Sequence, residues 1–144
     1  MSQKQVAPPS TPYGAPIPLE AAKKAIAAAE GEAVQNNWSV AIAIVDSGGN
    51  LVMLQRLDNA QLSAVRIAEA KARTAVEFRR PTKVLEDAVA GGGIGLRVLT
   101  FGASVAEGGV PLVSGGRIVG GIGVSGVASD QDAQVAQAGA AALE

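Results

Sequence analysis

Two glycine turns, Ser47-Gly48-Gly49-Asn50 and Ser114-Gly115-Gly116, constrain the fold of this chain more than any other feature. Each separates two runs of apolar and β-branched residues. WSVAIAIVD and LVMLQRLD flank the first turn, and GVPLV and RIVGGIGV flank the second. Glycine supplies the positive φ of a tight hairpin turn without steric penalty. Strands joined this closely must run antiparallel, because a parallel connection needs a crossover of a dozen or more residues.

Helical spacing fills the rest of the chain. Pro18 stands where a helix tolerates proline best, and Ala22, Ile26, Ala29 and Ala33 then share one face as far as Asn36-Asn37. Residues 62–79 form the longest helical pattern, with Val65, Ala68, Ala72, Ala75 and Val76 on one side. Arg80-Pro81 ends it, since the residue before proline avoids the helical region. Thr82 is expected to cap a short helix through Val89, and LRVLTFGAS reads as a third strand or a loop. Ser129, with Asp132 three residues on, resembles a capping box that opens a last helix carrying Val135, Ala138 and Ala142. The order α-β-β-α-α-(β)-β-β-α predicts a single α+β domain over residues 18–144, an antiparallel sheet with helices packed on it. Residues 1–17, rich in proline, read as an extended arm, either disordered or packed on a neighbouring subunit through Val6 or Tyr13. With 18 glycines and only 3% aromatics, the core must be built from small side chains at close range.

Composition removes several classes of function. The chain has no cysteine and no histidine, which excludes zinc–thiolate sites, iron–sulfur clusters, thiol catalysis and Ser-His-Asp chemistry. A net charge of -1, without a basic patch, disfavours nucleic acid. No segment reads as a signal peptide or a membrane span, so no membrane partner is expected and a cytoplasmic location is the default.

Gly121, Gly123 and Gly126 have the spacing G-x-G-x-x-G of a dinucleotide-binding fingerprint. That motif needs a second parallel strand after its helix. Only 18 residues follow Gly126, enough for one helix, so NAD is not expected. The glycines instead imply that another backbone or a ligand approaches the strand closely. Ser125 and Gly126 lead into a helix N-terminus, whose free amides suit a small anion.

Charged residues supply the remaining candidates. Arg56 and Asp58 lie two apart along one strand, beside Asp46 at the end of its neighbour. They read either as a salt bridge closing the sheet edge or as a pocket wall in which Arg56 holds a carboxylate and Asp58 acts as a base. Lys71 is either solvated or a cation reaching into the same cleft. Arg79 and Arg97 are further anion-binding candidates, and Asp130 and Asp132 read as helix-start residues favoured by the dipole. No metal site is signalled.

The segment GGVPLVSGGRIVGGIGVSGVASDQDAQVAQAGAAAL resembles the C-terminal signature of the GlcG/HbpS-like family. Asp46, Gly49, Leu51-Val52, Arg56, Asp58 and Ala60, then Ser63 and Lys71-Ala72 with Thr74-Ala75, are similar to the family's first half. The resemblance implies a profilin-like fold, a homo-oligomer and haem binding. Without histidine, an axial ligand would have to be Met53, Tyr13 or a lysine. Three functions follow as expectations. The first is binding of haem or another tetrapyrrole. The second is cofactor-free isomerase, lyase or hydrolase chemistry on a small carboxylated metabolite, with Arg56 holding the acid and Asp58 or Lys71 moving the proton. The third is a structural or accessory oligomer.

Overall fold

The computed structural model describes residues 10–143. Its elements are α1 (Leu19–Gln35), β1 (Ala41–Asp46), β2 (Leu51–Arg56), α2 (Leu62–Phe78), α3 (Thr82–Ala90), a 3₁₀ helix (Gly93–Thr100), β3 (Gly109–Ser114), β4 (Arg117–Ser125) and α4 (Ser129–Ala141). The two expected hairpins form. They join through β1 and β4 into one antiparallel sheet of order β2-β1-β4-β3.

Helices cover both faces of this sheet. Ile42, Ile44, Ile122 and Val124 point to one side, where they meet Ala25, Ile26 and Ala29 of α1 and Val135 and Ala136 of α4. Ala41, Ala43 and Val45 point to the other side, against Ala64, Ala68, Ala72 and Val76 of α2. This explains why β1 is apolar at both parities although its neighbours are antiparallel: neither face sees water. Each fully buried Ile or Val contributes roughly 1.5–3 kcal/mol of transfer free energy, so the sheet's centre carries much of the stability.

Three local expectations are corrected. Thr82 does not cap α3; Pro81 holds that position, and the Thr82 hydroxyl instead accepts the Gly109 N–H at 3.0 Å. The stretch expected as a strand or loop is largely the eight-residue 3₁₀ helix. Ser129 is the first helical residue of α4 and not its cap. The cap residue is Ala128, which has no side-chain oxygen, and its N–H is accepted by Gln131 Oε1 at 3.2 Å.

Residues 12–17, expected as part of the arm, hydrogen-bond to their own chain. Ile118 N–H donates to Pro12 O at 2.8 Å, Gly14 N–H to Ile118 O at 2.8 Å, and Ile17 N–H to Val119 O at 2.9 Å. They extend the ladder of β4 beyond the point where β1 ends at its Asp46–Gly120 pair. Val6 lies outside the described residues.

Candidate functional site

Two of the glycines of β4 are explained by α2, while Gly120 sits against Val45 O and Ile17. A Cβ on Gly121 would lie 2.5 Å from Ala72 O and 2.7 Å from Val76 Cγ2, and one on Gly123 would lie 2.5 Å from Ala72 N and closer still to Ala68 O. The α2 backbone, not a ligand, fills the space beside these two residues. Gly126, at φ +141°, sits against Ser39 O and Val40 Cα of the segment leading into β1.

Just before α4, Asp132 Oδ1 accepts the Val127 N–H at 3.1 Å, next to Gly126. Its other oxygen, Oδ2, accepts from Lys71 Nζ at 3.1 Å, and the same ammonium donates to Val124 O at 2.9 Å. Lys71 and Asp132 are each only 2% exposed. Burial pushes the Asp132 carboxyl above the usual carboxylate range; the Lys71 charge and the Val127 N–H pull it back by less. Lys71 is therefore neither solvated nor in a cleft with Arg56.

Arg56, Asp58 and Asp46 do not converge. Asp46 Oδ1 accepts the N–H groups of Gly48 at 2.9 Å and Asn50 at 3.0 Å, which fastens the first hairpin turn. Arg56 and Asp58 are both exposed. Among the described residues neither enters a salt bridge, so the expected pair at the sheet edge is absent. Arg56 is level with Ala41, which is level with Ser125; two strand spacings, about 10 Å, separate Arg56 from the ladder next to Lys71.

Arg79 closes α2 in the left-handed conformation, at φ 54°. Its guanidinium lies 5.0 Å from the centre of the Tyr13 ring and donates to Thr11 O at 3.3 Å. Arg97 is exposed on the 3₁₀ helix, among Ile94, Leu96, Leu99 and Phe101. The Phe101 ring stacks on Phe78 with centroids 6.4 Å apart.

Tyr13, Met53 and Lys71 are each engaged within the chain. The Tyr13 hydroxyl donates to Val76 O at 2.7 Å, Met53 packs on the main apolar core, and Lys71 is held by Asp132. Among the described residues, no group of three acidic side chains could hold a metal, and no helix is long and apolar enough to cross a membrane.

Local sequence does not show the bond of Thr82 to Gly109, the pairing of Asp132 with Lys71, or the tight place of Gly108. A Cβ on Gly108 would meet Lys71 Nζ and Val124 O, each at 2.8 Å. The G-G before Val110 was the one available sign that something packs closely there.

An antiparallel sheet with helices on both faces places this chain among small α+β domains. This chain belongs to the HbpS-like family: the family model described as haem degrading protein HbpS-like matches residues 17–141. Protein GlcG of Escherichia coli K12 is 47% identical over 100 residues, covering 69% of this chain and 74% of GlcG. The crystal structure of HbpS matches with a TM-score of 0.82 at 37% identity, covering 94% of this chain and 95% of that one. That of a PduOC:heme complex matches with a TM-score of 0.80 at 31% identity, covering 90% of this chain and 96% of that one.

Proposed function

We propose that this chain binds a tetrapyrrole by its ring face and its carboxylates, on the surface of the 3₁₀ helix, without a side chain ligating the iron. The observation that carries this reading is the helix itself. It runs for eight residues, where 3₁₀ segments rarely exceed three or four, and none of its residues is buried. Ile94, Leu96 and Leu99 on it, and Phe101 just after it, are 48–58% exposed. Large apolar side chains gathered on a soluble surface mark a binding face. Arg97 stands among them as a fork-shaped donor suited to a carboxylate. The haem complex of PduOC and the description of the family support the same ligand class.

The carboxylated-metabolite reading is not favoured, because Arg56, Asp58 and Lys71 face different surroundings. Self-association has its own support. Leu51 and Leu54, on edge strand β2, are 47% and 38% exposed, and Leu62 at the start of α2 is 84% exposed. A homo-oligomer joined along this edge would cover all three.

Titration with haemin and with metal-free protoporphyrin tests the ligand. Both should bind saturably and with similar affinity, and Phe101→Asp and Arg97→Ala should weaken both. Binding of haemin alone would reveal iron ligation and overturn the proposed mode. Binding of neither would end the tetrapyrrole reading. Light scattering on Leu54→Lys tests the edge: a mass unchanged from wild type removes β2 from any interface.

A further inference from the structure

A cleft of about 190 Å³ lies between the start of α3, the start of β3 and α4. A cavity of roughly 150 Å³ holds a benzene molecule, so this one suits a ligand slightly larger. Val84, Val110 and Ala133 give it apolar walls, and Gly108 and Gly109 line it over the buried Lys71–Asp132 pair.

The charges buried beneath it are matched internally. Asp132 cancels Lys71. On the rim, Lys83 Nζ lies 3.0 Å from Asp87 Oδ1 and 3.9 Å from Glu86 Oε2. The hydrogen bond and charge of Asp87 raise the Lys83 pKa, and the nearby charges of Glu107 and Glu86 act in the same direction. Glu107, half-buried on the same rim, forms no salt bridge and no side-chain hydrogen bond among the described residues. Glu86, Asp87 and Glu107 set three carboxylates against the one Lys83 ammonium, and Glu107, with no bonded partner among the described residues, is the carboxylate left to meet a ligand.

We propose that this cleft is a second binding site, for a small organic ammonium compound. The ammonium group meets Glu107, and an apolar body about the size of a benzene ring lies between Val84, Val110 and Ala133. The site is separate from the 3₁₀ surface and does not depend on tetrapyrrole binding. A carboxylate with no bonded partner beside apolar walls favours a cation over a neutral competitor of the same size.

Benzylamine, benzyl alcohol and benzoate, three probes of one size and three charges, test this by amide NMR. Benzylamine should give saturable shifts concentrated at Gly108, Gly109 and Ala133, and benzoate should give none there. Glu107→Gln, at a position that is not part of the core, should weaken benzylamine at least tenfold while the rest of the spectrum is unchanged. The proposal is overturned if benzoate or benzyl alcohol binds as tightly as benzylamine. Indifference to Glu107→Gln, or no saturable shift at these amides, overturns it equally.

Discussion

The Lys71 ammonium lies 3.1 Å from Oδ2 of Asp132, sixty-one residues away in sequence, with both groups almost fully withdrawn from water. The pair ties α2 to the start of α4, and its remaining bonds reach Val124 O and Val127 N–H. Removing one partner of such a pair leaves an uncompensated buried charge. Lys71→Met should cost about 3–5 kcal/mol in urea denaturation. Adding Asp132→Asn should restore part of the loss, since the orphaned charge is then gone. Additive losses in the double variant would show that the two residues act independently.

The pH dependence of stability has an unusual sign at Asp132. Its carboxyl is pushed up in the folded state, chiefly by burial, so the folded chain holds this proton more tightly than the unfolded one. The stabilisation is complete below the ordinary carboxylate value, about 4, and is lost as pH rises through the raised folded value. Urea midpoints of wild type and Asp132→Asn across this window give the difference. The wild-type advantage should shrink with rising pH; growth of that advantage would contradict the assignment.

Two glycine-to-alanine changes should act in opposite directions. At Gly123 a methyl group would press on Ala68 O and lie 2.5 Å from Ala72 N, so α2 would have to move away from the sheet. Overpacking of this kind costs about 1–3 kcal/mol or more. Gly31, exposed within α1, has nothing within 4 Å of an added Cβ. Gly31→Ala should stabilise by roughly 0.5–1 kcal/mol through helix propensity and reduced unfolded-state freedom. Thermal unfolding of the two variants beside wild type checks both signs.

Tyr13 fastens the start of the described chain to the end of α2. Tyr13→Phe keeps the ring under Arg79 but loses the 2.7 Å bond to Val76 O. The expected loss is about 1 kcal/mol, with faster hydrogen exchange at Gly14 and Ile118. Exchange unchanged at both amides would mean that the backbone bonds alone hold this segment.

Arg56 is expected to be silent in stability. It is exposed and forms no ion pair among the described residues, so Arg56→Ala should fall within about 0.5 kcal/mol of wild type. A larger loss in urea denaturation would restore a structural role at the sheet edge.

The sequence determined the elements and their local signs. Glycine turns set the two hairpins, a continuous apolar and β-branched run marked β1, and spacings of three and four marked the buried faces of α1 and α2. Absent histidine and cysteine already limited the chemistry. These are properties of short windows, where backbone preference and burial period act on neighbouring residues.

Only the tertiary structure decided which charges are paired and which glycines are filled. Lys71 and Asp132 each read locally as ordinary helix residues, and nothing in either window indicates a partner across the sheet. Gly121 and Gly123 announced a close approach, but whether a helix or a ligand makes it depends on how α2 docks. The 3₁₀ helix was lost to sequence reading because its apolar residues face outward, so no burial period marks it. Pairing, docking and exposure are relations between distant segments, fixed by how the faces of the sheet are covered.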